Sequence, residues 1–233
     1  MIKLSEKTKN SEIYINAVKI IEILLDAGFE SYIVGGAVRD LLIEKNPKEY
    51  DICTSATPNE INKIFKKSKL VGHSFGVSIV LQDKYAFEIA TFREDFDYLD
   101  GRHPDKVKYT KNVEYDVKRR DFTVNGLLFD PIANKIIDHC DGLLDLKNKT
   151  IRTIGDPFER FSEDYLRILR AIRFSNQLNF EIEKKTSIAM DELSHKVVNI
   201  SIERVRDEIS KILLSLSPAK GIRLLDKYHI LNT

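Results

Sequence analysis

Gly35-Gly36-Ala37-Val38-Arg39-Asp40, followed nine residues after Asp40 by Glu49-Tyr50-Asp51, is the stretch on which the reading of this chain turns. Tyr32-Ile33-Val34 just before it reads as a buried strand, and Ala37 to Leu42 as the start of a helix. A glycine pair between strand and helix lets backbone N–H groups approach a phosphate and aims a helix N-terminus at it. Arg39, on the first helical turn, brings a guanidinium within reach of the same phosphates. Glu49 and Asp51, separated by Tyr50, are expected on one face of a strand, where two carboxylates can share divalent ions. Glu88, within Phe87-Glu88-Ile89, is the candidate third acid from a neighbouring strand. Phosphate cradle and acids together suit nucleotidyl transfer through two Mg²⁺ ions, one activating a hydroxyl and one holding a triphosphate. Taken singly, the acids also read as surface carboxylates, and Arg39 as a solvent-facing residue paired with Asp40.

The bulk properties narrow the class. At 233 residues the chain can bury a sizeable core and form one large or two small domains. Lysine plus arginine (37) nearly balances aspartate plus glutamate (36), so any basic groove must come from local clustering. Cys53 and Cys140 form neither a metal spacing nor a disulfide framework, which fits a reducing cytosol. The polar N-terminus lacks a signal-peptide core and no apolar run could span a bilayer, so the expected location is cytoplasmic, with no membrane partner.

Helix periodicity covers Ile13 to Leu25 and stops at Gly28; Pro58 to Lys67 reads as another helix opened by Thr57-Pro58. Strand signals fall at Ser31–Val34 and Tyr50–Thr54, with hairpins expected at Val77–Leu81 with Ala86–Phe92 and at Leu127–Phe129 with Lys135–Asp138. Beyond Ile154 only helices are expected: Phe161–Phe174, Glu183–Leu193, Ile202–Leu213 and Ala219–Tyr228. The predicted fold is thus an α/β (α+β) head over residues 1–154, with a small mixed, mostly antiparallel sheet, and an all-helical neck over 155–233, divided at Gly155-Asp156-Pro157.

Two further segments carry chemistry. Lys118-Arg119-Arg120-Asp121-Phe122-Thr123-Val124-Asn125 interrupts a basic run with short hydrogen-bonding side chains suited to a ribose hydroxyl or a phosphate; the plain alternative is a solvated face. Asp164, Arg167, Arg170 and Arg173 recur every three residues along one expected helix stripe, apart from Leu166, Leu169 and Ile172. An aspartate accepting from an exocyclic amino group and an arginine donating to the adjacent ring nitrogen would match both cytosine and adenine. Uracil and guanine present the opposite polarity and would leave buried charges unpaired. The plain alternative is an amphipathic helix with an i,i+3 ion pair.

These motifs, in this order, resemble the class II tRNA nucleotidyltransferase and poly(A) polymerase family, which includes CCA-adding enzymes. The resemblance rests on Gly-Gly-Ala-Val-Arg-Asp at 35–40, the acids at 49 and 51 and Arg-Arg-Asp-Phe-Thr-Val-Asn at 119–125. It continues with Glu-Asp-Tyr-Leu-Arg at 163–167 and Ser201-Ile202-Glu203-Arg204, covering roughly residues 30 to 215. It implies that Glu49 and Asp51 bind catalytic Mg²⁺, and beside them Glu88 stands, on the residue reading alone, as the third catalytic acid. Gly35, Gly36, Arg39, Arg120 and Asn125 would contact the nucleotide, and Asp121 its ribose. Asp164 and Arg167 would serve as a protein template for C or A, with Arg170 and Arg173 adding nucleotide contacts. It implies tRNA, CTP and ATP as partners and no nucleic-acid template. The family normally has aspartate at both acid positions, whereas Glu49 stands at the first here. Bacterial relatives continue into body and tail domains that grip tRNA, so secure RNA binding here is expected to need a partner chain, an oligomer or a region outside this sequence.

Val71-Gly72-His73-Ser74-Phe75-Gly76-Val77 is closer to the CCA-adding version of this stretch than to the arginine-rich poly(A) polymerase version. Glu94 to Pro104 resembles the loop required for terminal A addition, which argues against a CC-only enzyme and leaves CCA and A-only addition open. Poly(A) polymerase and a non-catalytic nucleotide- or tRNA-binding module are the alternatives.

Overall fold

The computed structural model describes residues 2–71, 76–96 and 106–232, in two compact units. The calls on Gly72 to Phe75 and on Asp97 to Pro104 lie outside the described residues.

The first unit contains residues up to 96 together with 106–120 and 125–140. Its elements are α1 (Glu6–Lys9), α2 (Glu12–Asp26), β1 (Ser31–Val34), α3 (Gly36–Leu42), β2 (Asp51–Thr54), α4 (Pro58–Ile64), β3 (Ser68–Val71), β4 (Val77–Gln82) and β5 (Tyr85–Thr91). They continue with β6 (Arg93–Phe96), β7 (Lys106–Tyr109), α5 (Val113–Lys118), β8 (Leu128–Asp130) and β9 (Lys135–Ile137). Seven strands form one sheet in the order β3-β4-β5-β2-β1-β8-β9, antiparallel throughout except where β2 runs parallel to β5. Strands β6 and β7 form a separate hairpin. Both expected hairpins are present, and the mixed, mostly antiparallel sheet is as the sequence implies.

Helix α2 lies against β1, β2 and β5 and buries Ile20, Ile21 and Leu24 completely, each worth about 1.5–3 kcal/mol of transfer free energy. Ser11 caps its first turn by accepting from the Tyr14 N–H. Helix α4 is shorter than expected: it ends at Ile64 because Phe65 turns to extended backbone and leads into β3, with Ser68 bonded back to the Phe65 carbonyl.

The second unit contains residues 121–124 and 141 onward. Its elements are α6 (Gly142–Asn148), β10 (Thr150–Ile151), α7 (Pro157–Glu163), α8 (Leu166–Leu178), β11 (Glu181–Ile182), α9 (Lys184–Leu193), α10 (Ile202–Leu213) and α11 (Pro218–Lys227). The core gathers Phe122, Val124, Phe161, Ile168, Leu169, Ile172, Met190, Ile212, Leu225 and Tyr228.

Three expectations need correction here. The units do not part at 154: Phe122 and Val124 are core residues of the helical unit, held by Thr123 N–H to the Arg152 carbonyl (2.9 Å) and Ile154 N–H to the Asp121 carbonyl (3.0 Å). Thr123 Oγ1 also donates to the buried Asp145 at 2.6 Å. The unit is not purely helical, since β11 pairs parallel with β10. The single helix expected over Phe161–Phe174 is two helices, because Asp164 is extended (φ −155°, ψ 102°) and its carboxylate accepts from the Leu166 N–H. Among the described residues no helix is long and apolar enough to cross a membrane.

Candidate functional site

In the first unit, the turn between β1 and α3 is built on Gly35, whose φ of 74° and ψ of −136° form a conformation open at little cost only to glycine. A Cβ there would lie 3.9 Å from Nη1 of Arg120, and one on Gly36 would lie 3.4 Å from Nη2 of Arg39. Both are ordinary van der Waals separations, so the two guanidiniums lie close against the turn, and it is the positive φ of Gly35 rather than lack of room that calls for glycine. Helix α3 has only seven residues, so Arg39 and Arg120 carry more of the local positive potential than the helix does. Arg39 is buried rather than solvent-facing. Its Nε and Nη2 donate to Asp40 Oδ1 at 2.9 and 2.7 Å, and its Nη1 donates to Asn125 Oδ1 at 2.7 Å. The structure thus brings Gly35, Gly36, Arg39, Arg120 and Asn125 together.

The acids lie beside this turn in the sheet. Strand β2 begins at Asp51, pairing Val34 with Asp51, so Glu49 is not on the strand as expected; it is exposed just ahead of it, after the buried Tyr50. The parallel register Ile52↔Ile89, taken one step back, sets Asp51 beside the exposed Glu88. Burial first, then the charges of Glu88 and Glu49, push the Asp51 pKa up from 3.8 to about 6, against the pull of Arg120. Excess negative charge on an all-oxygen donor set fits a hard divalent cation. Among the described residues no three acids, histidines or cysteines are already gathered into a cage for a metal.

Helix α5 delivers the arginines. Asp116 is wholly buried and accepts from Nε and Nη2 of Arg119 (2.9 and 2.7 Å), from Nη2 of Arg120 (2.8 Å) and from the Arg93 N–H (3.3 Å). Burial alone would raise its pKa, but the Arg120 and Arg119 charges outweigh burial and hold it below the ordinary carboxylate value.

In the second unit the expected stripe divides among other partners. Asp164, outside the helix, pairs with Arg204 of α10 through Nη1 to Oδ1 (3.2 Å) and Nη2 to Oδ2 (2.8 Å). Arg167 donates instead to Glu163 (2.6 Å) and to the Arg160 carbonyl (2.8 Å), so no i,i+3 pair with Asp164 forms; Glu163 also takes Arg160. Arg170 donates twice to Asp121 Oδ2 (2.8 and 2.6 Å), whose other oxygen accepts from the Phe122 N–H. Asp121 is thereby engaged by Arg170 and by the backbone that follows it. Arg173 lies over the Phe174 ring and donates to the buried Glu208 at 2.5 Å.

Asp116, Glu163, Arg204 and Glu208 are the charged partners that residue-by-residue reading did not assign. Arg204 and Glu163 had a signal, since they close the quoted Ser201 motif and open the quoted 163–167 motif; Asp116 and Glu208 gave none, because their partners are fixed only by the fold.

A family model described as the poly A polymerase head domain matches residues 31–152, and one described as the probable RNA and SrmB-binding site of polymerase A matches 179–233. CCA-adding enzymes of Lactobacillus helveticus and Ligilactobacillus salivarius are 44% and 46% identical over 212 and 207 residues. These alignments take in 91% and 89% of this chain but 52% and 51% of the relatives. A crystal structure of the Bacillus stearothermophilus CCA-adding enzyme in complex with CTP resembles this one with a TM-score of 0.84 at 35% identity, over 92% of this chain and 52% of that one. The chain therefore spans about half the length of the curated relatives it matches. With the head-domain model running from β1 through β10, over half of its residues, the chain belongs to the poly(A) polymerase head-domain family.

Proposed function

We propose that this chain is a template-independent tRNA nucleotidyltransferase, adding C and A to a tRNA 3′ end from CTP and ATP and releasing pyrophosphate. The observation that carries the reading is the half-buried Asp51, crowded by Glu88 and Glu49, in the sheet beside the Gly35 turn with its buried Arg39 and neighbouring Arg120. Its relatives' designation as CCA-adding enzymes supports CCA addition over polyadenylation.

Glu49 and Asp51 would hold Mg²⁺, with Glu88 as the accessory acid. When bound, the metal would lower the pKa of the tRNA 3′-hydroxyl and stabilise charge at the α-phosphate under attack. Arg39 and Arg120 neutralise the triphosphate, Gly35 and Gly36 leave room for it, and Asn125 fixes Arg39. The hydroxyl oxygen forms the new bond to the α-phosphorus as the bond to the pyrophosphate oxygen breaks.

Asp164 supplies the base reader. A carboxylate offers about four acceptor sites. Leu166 N–H and Arg204 Nη1 take two on Oδ1 and Arg204 Nη2 takes one on Oδ2, leaving one Oδ2 site for the exocyclic amino group of C or A. Arg167, whose Nη1 is held by Glu163, would donate to the adjacent ring nitrogen. Asp121, Arg170 and Arg173 then act mainly by holding this unit in shape. A tRNA lacking its CCA end, incubated with labelled CTP, labelled ATP and Mg²⁺, is expected to gain C, C and A. Absence of label would reject the enzyme reading, label confined to A on tRNA ending in CC would make it A-only, and equal extension of a short unstructured RNA would make it a poly(A) polymerase.

A further inference from the structure

Asp116 sits on α5, outside every motif considered above, yet four hydrogen bonds converge on its carboxylate. Burying a charged carboxylate is unfavourable unless donors surround it, and a single bidentate arginine would have served that need. Here the two oxygens divide the work. Oδ1 faces Arg119 and the backbone N–H of Arg93 at the start of β6, while the hydrogen bond at Oδ2 comes from Arg120. Arg120 thus has one terminal nitrogen, Nη2, on Asp116 and the other, Nη1, 3.9 Å from where a Gly35 Cβ would lie. An arginine side chain left untethered samples many rotamers, and ordering it has an entropic cost that pre-organisation removes from ligand binding.

We propose that Asp116 is a positioning residue for nucleotidyl transfer: it holds Arg120 against the Gly35 turn in the orientation that receives the triphosphate, and links that arginine to β6 through the shared carboxylate. The inference rests on the reading above that the Gly35 turn receives a nucleoside triphosphate.

Asp116→Asn is the discriminating change. It keeps one acceptor oxygen, which can serve Arg119 and Arg93, and turns the other into an NH₂ donor facing Arg120. Equilibrium titration of the whole chain with CTP and Mg²⁺ is expected to show a Kd raised about tenfold or more, the scale of one lost charge-assisted contact, with CMP affinity held within about twofold. In an Arg120→Ala background Asp116→Asn is expected to add nothing further. Unchanged CTP affinity, or losses from Asp116→Asn and Arg120→Ala that simply multiply, would overturn the proposal. Should Asp116→Asn not fold, Asp116→Glu carries the test: it keeps the charge but displaces Arg120 by a methylene, so a folded variant with full CTP affinity overturns the positioning role and one with about tenfold weaker affinity supports it. A wild-type chain that binds no CTP would overturn the functional reading along with the proposal, whereas wild-type binding with an indifferent Asp116→Asn removes the proposal alone.

Discussion

Asp51→Asn is expected to make the protein more stable while ending catalysis. Half-buried between Glu88 and Glu49, the Asp51 carboxyl has its pKa raised from 3.8 to about 6, a shift of about two units and so about 2–3 kcal/mol of differential free energy. Because the folded value lies above the unfolded one, the folded chain binds the extra proton between them. The stability lent by protonation is therefore full below about pH 4 and is lost as the pH rises through about 6. Asparagine never ionises and escapes that loss. Urea unfolding at pH 8 in EDTA should favour Asp51→Asn over wild type by about 2–3 kcal/mol, with the gap closing as the pH falls through 6 and vanishing near 4. Adding Mg²⁺ at pH 8 should narrow the gap by stabilising the wild type alone, through preferential binding to its folded state. Wild type as stable as Asp51→Asn at pH 8 in EDTA would refute the reasoning, since it would mean that burial and the neighbouring Glu88 and Glu49 do not disfavour the charged carboxylate.

Two further expectations concern the second unit. Arg204→Ala strips Asp164 of its paired guanidinium, so incorporation of U or G relative to C and A should rise about tenfold in a four-nucleotide extension assay, and unchanged selectivity would remove Asp164 from base reading. Gly221→Ala places a Cβ 2.2 Å from Ile212 Cγ2 and 3.0 Å from Asn176 Nδ2, an overpacking that should lower stability by about 1–3 kcal/mol; an unaltered melting temperature would show that α10 and α11 do not meet so closely.

What the sequence disclosed and what it hid follow different physics. Local signals sufficed for α2, for the β4–β5 and β8–β9 hairpins and for the strand-glycine-helix step at Gly35, because alternation, helical spacing and turn chemistry act over a few residues. The break at Asp164 was hidden by the three-residue recurrence of Asp164, Arg167, Arg170 and Arg173, which continues through it without proline or glycine. The cue was the aspartate itself, whose side chain bonds the backbone two residues on and so competes with the helix. Partner choice was the least legible part. Asp164 finds Arg204 forty residues away, Arg170 finds Asp121 forty-nine residues away, and Arg173 finds Glu208, pairings that tertiary packing decides. The place of Glu88, the acid proposed as third member of the site, came only with the pairing of β2 and β5.

The run from Arg119 to Asn125 changes allegiance twice: Arg120 and Asn125 count with the sheet, while Phe122 and Val124 are stitched into the helices. No single cut can therefore excise either half intact. A gene fragment beginning at residue 155 would lack two of its own interior side chains together with β10, and should emerge insoluble or molten. Grafting 121–124 and 141–154 back onto it is the smallest repair that would return its missing interior.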